Sequence, residues 1–248
     1  MPQGTHVAVI AAVRIAATAD LHFSKTSAGM FQPLLSQITT AADLLIIAGD
    51  LTDYGLPEEA RGLVKDLSAS VHIPILAVLG NHDFESGAEQ EIRQILTDAG
   101  ITVLDGDSHE VDGVGFAGVK GFCGGFGRGV LGPWGEQTVK MFVHEAVNET
   151  LKLESALARL RTEKKVVVLH YAPIEATVEG EPREIFPYLG CGRLEEPLGR
   201  YGVTMVVHGH AHKGSKEGRS AANIPVYNVA LPLMRRISPD QPFRILEI

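Results

Sequence analysis

The sequence has 248 residues, of which 45% are hydrophobic and 21% are charged, close to the average for globular proteins. The net charge of −8 argues against a general nucleic-acid binder, which would present a basic face. The only two cysteines, Cys123 and Cys191, exclude a disulfide framework and favour a reduced compartment.

The N-terminal segment lacks the order of charges that a secretory signal has. Its apolar run, residues 7–13, precedes the first basic residue, Arg14, whereas a signal peptide carries its positive charge before the apolar stretch. No stretch approaches the ~20 apolar residues that a membrane-spanning helix needs. We therefore expect a cytoplasmic protein with no membrane partner, folded as a single domain over residues 1–248.

Short apolar runs alternate along the chain with segments of helical spacing. Buried strands are predicted at 13–20, 42–50, 73–83, 164–171 and 203–210, and helices at 57–70, 86–100 and 136–162. Residues 109–120 have a period of two and predict a hairpin or an antiparallel edge, as do IPVYNVA and FRILEI near the C-terminus. Apolar strands that alternate with helices predict an α/β fold in which helices cover the sheets.

Each of the five predicted buried strands ends in a polar cluster. The clusters are ADLH (19–22), AGDLTD (48–53), GNHD (80–83), LHY (169–171) and HGHAH (208–212). Ligands of open α/β sheets bind beyond the carboxyl ends of the strands. We therefore expect these five clusters to converge on one place.

The converging side chains offer carboxylate oxygens, imidazole nitrogens and one amide oxygen, a mixed set that suits first-row transition metals. Seven such ligands are more than one ion needs when a substrate must also bind. Two ions that share one carboxylate would use all seven, and such a pair can clamp the entering and leaving oxygens of a displacement at phosphorus. The predicted cofactor is two divalent or mixed-valence transition-metal ions, manganese or iron first, with zinc, cobalt and nickel as alternatives.

The order of motifs Asp-x-His, Gly-Asp-x-x-Asp, Gly-Asn-His-Asp, a lone His and Gly-His-x-His resembles that of the calcineurin-like metallophosphoesterases, over about residues 13–230. The resemblance implies a metallo-dependent phosphatase-like fold, a four-layer αββα sandwich of two mixed β-sheets flanked by helices. It also implies a metal-dependent phosphodiesterase or phosphatase, in which a hydroxide that bridges the two metal ions attacks phosphorus.

Carried over position by position, the resemblance gives each candidate residue a role. It implies that Asp20, His22 and His212 hold one ion, that Asn81, His170 and His210 hold the other, and that Asp50 bridges the two. It further implies that His82 contacts the phosphate and protonates the leaving oxygen, that Asn81 lies beside the phosphate, and that Asp83 orients His82.

Several residues keep a second interpretation. Asp53 is either an acid behind the metal ligands or a turn residue, and His208 is expected to be structural. The glycine-rich segment 121–135 is either a flexible surface loop or a lid over the metal centre. Arg193 either binds a phosphate oxygen of the substrate or pairs with a neighbouring glutamate.

The expected substrate is a small-molecule phosphate ester or a nucleotide, either a phosphodiester or a phosphomonoester. A nucleic-acid partner is disfavoured because the sequence shows no basic track. The alternative from another class is a non-catalytic metal-binding scaffold of the same fold, against which the intact set of motifs argues.

Overall fold

The computed structural model describes residues 12–248, so most of the apolar run at 7–13 lies outside the described residues. Eleven strands occur in the described range: β1 (Arg14–Thr18), β2 (Leu44–Ala48), β3 (Ile75–Val78), β4 (Thr102–Val103), β5 (Asp107–Val111), β6 (Val114–Val119), β7 (Lys164–Leu169), β8 (Met205–His208), β9 (Glu217–Arg219), β10 (Pro225–Asn228) and β11 (Arg244–Glu247). The helices there are α1 (Gln32–Ala41), α2 (Pro57–Ser70), α3 (Glu89–Asp98), α4 (Gln137–Arg159), α5 (Phe186–Leu189), α6 (Glu196–Arg200) and α7 (Leu231–Ile237).

The strands form two mixed sheets. The first has the order β11-β1-β2-β3-β4, with β1 to β4 parallel and β11 antiparallel on β1. The second has the order β5-β6-β7-β8-β10-β9, with parallel strands in the middle and the antiparallel strands β5 and β9 at the edges. Parallel central strands place their carboxyl ends on one edge of each sheet, which is where ligands bind in such folds.

The two sheets pack face to face, and helices cover their outer faces. Successive side chains of a strand point to opposite faces, so in β2 Leu44 and Ile46 join the core between the sheets, while Leu45 and Ile47 pack under α1, α2 and α3. On the second sheet, Val167 and Leu169 pack against α4. The result is the four-layer αββα sandwich that the resemblance implies.

The predicted elements are confirmed with two corrections near the sheet edges. Residues 107–119 do form the antiparallel hairpin β5–β6, but β6 also pairs in parallel with β7, so only β5 is an edge. The two C-terminal segments do not pair with each other: β10 lies beside β8 in the second sheet, whereas β11 lies beside β1 in the first. Helix α7 connects them. Pro232 lies in its first turn, where the missing N–H of proline costs no helical hydrogen bond.

None of the described helices combines the length and the apolar character that crossing a membrane would require.

Candidate metal centre

The five polar clusters converge where the carboxyl ends of the two sheets meet. Across the sheets, His212 Nε2 lies 3.0 Å from Asp20 Oδ1, and His170 Nε2 lies 3.4 Å from Asp50 Oδ1. His170 Nε2 also lies 2.9 Å from the side-chain oxygen of Asn81, which follows β3. Residues that are far apart in the sequence therefore share one site.

Three groups of side chains in this site bring their donor atoms within 4.8 Å of one another: Asp20 with His22 and His212, Asp50 with His170 and His210, and His22 with Asp50 and His82. Asp50 lies between the first two groups, because its other carboxylate oxygen is 3.8 Å from His22 Nε2. That is the position which a carboxylate shared by two ions would occupy. All seven candidate ligands lie in this one site.

His22 gives the test of whether a metal fits. Both of its ring nitrogens are buried, and neither has a hydrogen-bond partner among residues 12–248. Nε2 lies 3.8 Å from a carboxylate oxygen of Asp50, and Nδ1 lies 3.5 Å from one of Asp53. A buried polar atom without a partner costs free energy, which a bound cation would offset. Burial lowers the pKa of His22 despite the nearby carboxylates, so the ring is neutral and offers a lone pair. The residues present therefore fit a metal ion.

The ring of His170 is held in one orientation. Its Nδ1 donates to the carbonyl oxygen of Ala48 at 3.0 Å, which leaves Nε2 to face Asn81 and Asp50. Burial lowers the pKa of His170, but the charge of Asp50 outweighs it and raises that pKa to about 9. A protonated ring has to release a proton before it can bind a metal ion, and the hydrogen bond from Nδ1 to Ala48 makes Nε2 the nitrogen that can release it.

The backbone adopts an uncommon conformation at four of the candidate ligands. Asp20, His22, Asp50 and His210 have φ values of 57°, 46°, 50° and 69°. Positive φ is rare for residues other than glycine and tends to occur at functional sites, where the surroundings hold it in place. Here the carboxylate of Asp20 accepts the backbone N–H of His210 at 3.0 Å, which ties two of these residues together.

Two motif glycines allow the strand ends to approach each other. Gly49 has a φ of +90°, and a Cβ atom there would lie 2.3 Å from the ring of His170. A Cβ atom on Gly80 would lie 2.1 Å from a carboxylate oxygen of Asp50. Glycine is therefore required at both positions for the ligands to reach their places.

His82 lies at the open side of the centre. Its ring centroid is 4.4 Å from that of His22, and its side chain is 40% exposed, so a substrate can reach it. Its Nδ1 donates to the carbonyl oxygen of Asp53 at 2.6 Å, which leaves Nε2 free. The carboxylate of Asp53 lies 3.5 Å from His22 Nδ1, so the structure supports Asp53 as an acid behind the metal ligands.

The expected role of Asp83 is wrong. Its carboxylate is fully buried and accepts hydrogen bonds from the backbone N–H groups of Leu51, Thr52 and Gly80 at 3.2, 2.8 and 2.8 Å, and from the Thr52 hydroxyl at 2.6 Å. It therefore joins the loop after β2 to the loop after β3, and the carbonyl of Asp53 orients His82 instead. A contact with a backbone carbonyl leaves no signal in the sequence.

His208 is structural, as expected. It is buried, and its Nε2 lies 2.8 Å from the hydroxyl of Thr177 while its Nδ1 donates to the carbonyl of Gly209 at 2.8 Å. Burial lowers the pKa of His208 to about 4, so the ring is neutral at pH 7.

The glycine-rich segment 121–135 is packed at its start and exposed further along. The N–H of Gly121 donates to the buried carboxylate of Glu149 at 2.8 Å, and Phe126 is buried, whereas Trp134 is 75% exposed. Arg193 donates to the carbonyl of Leu131 in this segment at 3.3 Å. Within the described residues it forms no ion pair with a neighbouring glutamate and makes no hydrogen bond to the metal-centre residues.

Comparisons with known proteins show which family and which fold this chain resembles. A family model described as calcineurin-like phosphoesterase matches residues 13–214. A protein of Arcobacter nitrofigilis named "Probable glycerophosphodiester phosphodiesterase GpdQ" is 23% identical over 194 residues, which cover 73% of this chain and 60% of that protein, less than two thirds of its length. The crystal structure of TT1561 of Thermus thermophilus covers 96% of this chain and 98% of its own with a TM-score of 0.57; at 14% identity, it shows a likeness of fold alone.

Proposed function

The chain belongs to the calcineurin-like phosphoesterase family, and from this premise we propose that it hydrolyses phosphate esters with two transition-metal ions bound at the site described above. One observation carries the proposal: the carboxylate of Asp50 stands between two further groups of ligands, each with its own carboxylate or amide oxygen and its own histidines. Because both sheets contribute ligands, we also propose that residues 1–248 function as a single domain.

The proposed ligands divide into two sets around Asp50. Asp20, His22 and His212 would hold one ion, and Asn81, His170 and His210 would hold the other. The nitrogen-rich donor set favours manganese or iron, with zinc, cobalt and nickel as alternatives, over calcium or magnesium. Such ions, when bound, lower the pKa of a water and withdraw negative charge from the phosphoryl oxygens.

His82 is the proposed general acid. Its Nδ1 proton is engaged by the carbonyl of Asp53, so the ring cannot turn without breaking a 2.6 Å hydrogen bond, and Nε2 is the nitrogen that can carry a proton to the substrate. We propose that Nε2 donates this proton to the departing ester oxygen. The partial exposure of the ring gives a substrate access to it.

The proposed substrate is a small-molecule phosphodiester. A similar protein named as a phosphodiesterase supports this class over the monoesters. The net charge of −8 disfavours a nucleic-acid polymer, whose repeated phosphates would need a matching basic surface.

The test compares bis(p-nitrophenyl) phosphate with p-nitrophenyl phosphate as substrates, in the presence of Mn²⁺ and after treatment with EDTA. We expect hydrolysis that requires Mn²⁺ and a higher kcat/KM for the diester. Metal-loaded protein that hydrolyses neither ester, nor any member of a nucleotide panel, would favour the non-catalytic scaffold instead.

A further inference from the structure

Only four aromatic side chains are markedly exposed in the described part of the chain, namely Tyr54, Phe84, Trp134 and Tyr188. Exposed aromatic rings leave a large apolar surface in water, and most such rings in a folded protein are packed away. Three of these four follow a metal-centre residue in the sequence or contact one through a backbone atom, and Trp134 is the exception.

The three residues meet the centre at two different places. Tyr54 follows Asp53, whose carbonyl oxygen accepts a hydrogen bond from His82, and Phe84 comes two residues after His82. Tyr188 lies beside the second group of ligands, because its carbonyl oxygen is 3.1 Å from His210 Nε2. The aromatic residues thus flank both the proposed general acid and the second group of metal ligands.

Their backbones are held in place while their rings stay exposed. The N–H of Tyr54 donates to the buried carboxylate of Glu59 at 2.9 Å, and the N–H of Phe84 donates to the carbonyl of Asn81 at 3.1 Å. The rings of Tyr54, Phe84 and Tyr188 are nevertheless 59%, 40% and 61% exposed. Among the described residues no other aromatic ring packs on Tyr54 or Tyr188. The Phe84 ring differs, because the ammonium of Lys120 lies 5.2 Å from its centroid and covers one face. Tyr54 and Tyr188 therefore combine a fixed backbone with an uncovered flat ring, which is the arrangement of a preformed binding wall.

We propose that Tyr54 forms one aromatic subsite and Tyr188 a second, and that these subsites bind planar ring groups esterified to the phosphate of the substrate. This inference rests on the proposed function and narrows its substrate to diesters that carry an aryl or nucleobase-like ring. Because His82 protonates the departing oxygen, the leaving group lies beside Tyr54. The other ester group, which stays on phosphorus, lies beside Tyr188.

Stacking explains why such rings select a substrate. A flat aromatic side chain binds a planar ring over its whole face, whereas a small alkyl group offers no comparable surface. Removal of one stacking side chain lowers affinity for a base by roughly 5- to 150-fold in single-stranded nucleic-acid binders. We expect an effect of about tenfold or more here, confined to substrates that carry a ring on the matching side.

The experiment uses two diesters with the same leaving group, bis(p-nitrophenyl) phosphate and methyl p-nitrophenyl phosphate, with Mn²⁺-loaded full-length protein. Tyr188→Ala should lower kcat/KM for the first by about tenfold or more and for the second by less than about threefold. Tyr188→Phe should keep the wild-type ratio. Met141→Ala, which truncates an exposed side chain on α4, serves as the control and should also keep it. The intrinsic difference in reactivity between the two esters cancels when ratios are compared between variants.

Equal losses on both esters, or an unchanged ratio in Tyr188→Ala, would overturn the inference while leaving the proposed function intact. Binding supplies a readout that needs no turnover: phenylphosphonate should raise the Tm of the metal-loaded protein more than methylphosphonate does. This preference should disappear in the Tyr54→Ala/Tyr188→Ala double variant. Absence of hydrolysis together with a phenyl preference in the wild type would overturn the proposed function alone, and absence of the phenyl preference would overturn the aromatic subsites.

Discussion

Gly80→Ala is the smallest change that should dismantle the metal centre. A Cβ atom at this position would lie 2.1 Å from Asp50 Oδ1 and 2.2 Å from the Asp50 nitrogen, whereas such contacts essentially never fall under 3.0 Å. The backbone and carboxylate of Asp50 must therefore move by about 1 Å, in a core with no space to spare. Asp50 Oδ1 also accepts the N–H of His82 at 2.8 Å, so the displacement reaches the proposed general acid.

The expected cost is a loss of roughly 1–3 kcal/mol in the free energy of unfolding, typical of overpacked cores. A displacement of about 1 Å at a reacting centre should lower kcat/KM by about 10²-fold. Metal content by elemental analysis, thermal unfolding and hydrolysis of bis(p-nitrophenyl) phosphate measure the three effects. Gly192→Ala is the matched control, because a Cβ atom there meets its nearest neighbours at 3.7–3.8 Å, an ordinary contact. If Gly80→Ala bound two ions and turned over at the wild-type rate, the position assigned to Asp50 would be refuted.

Two further substitutions separate the roles of neighbouring residues. His82→Ala should keep both metal ions but slow hydrolysis of esters with poor leaving groups by about 10²- to 10⁴-fold. Hydrolysis of p-nitrophenyl esters should slow much less, because p-nitrophenolate needs little protonation. Equal losses for both kinds of ester would argue against a general acid. Asp83→Asn should lower the free energy of unfolding by roughly 3 kcal/mol, since an amide cannot accept all four hydrogen bonds and leaves buried N–H groups unpaired. A variant as stable as the wild type in thermal unfolding would contradict the anchoring role of Asp83.

The sequence predicts that the candidate ligands cluster, because its signal lies at strand ends. Strands such as 42–50 and 203–210 are recognisable from their apolar runs, and parallel strands of one sheet must end on the same edge. The polar residues that follow the strands of one sheet are therefore placed near one another by topology. Asp50 and His170 follow strands of different sheets, so their meeting also depends on how the two sheets pack.

Other features depend on contacts that no local pattern encodes. The two C-terminal strands look alike in sequence, yet Glu247 pairs with Arg14 in one sheet while Val226 pairs with Val206 in the other. Sheet membership follows from packing across the whole chain, not from periodicity. The left-handed conformation of Asp20 is likewise not predictable, because an aspartate by itself favours negative φ.

The misassigned role of Asp83 has a similar cause. The motif Gly-Asn-His-Asp places a carboxylate next to His82, and a carboxylate–histidine pair is a common arrangement. The backbone between the two residues turns the carboxylate inward instead, where it accepts hydrogen bonds from three N–H groups and a hydroxyl. Adjacent positions in a motif do not imply adjacent side chains.

Metal stoichiometry tests the central claim most directly. Elemental analysis of protein saturated with Mn²⁺ should find two ions per chain in the wild type. The Asp50→Ala variant, checked by circular dichroism to be folded, should retain neither ion at full occupancy. The reason is that Asp50 stands between both groups of ligands. One ion in the saturated wild type, or two ions still bound to Asp50→Ala, would contradict a centre in which this carboxylate joins two metals.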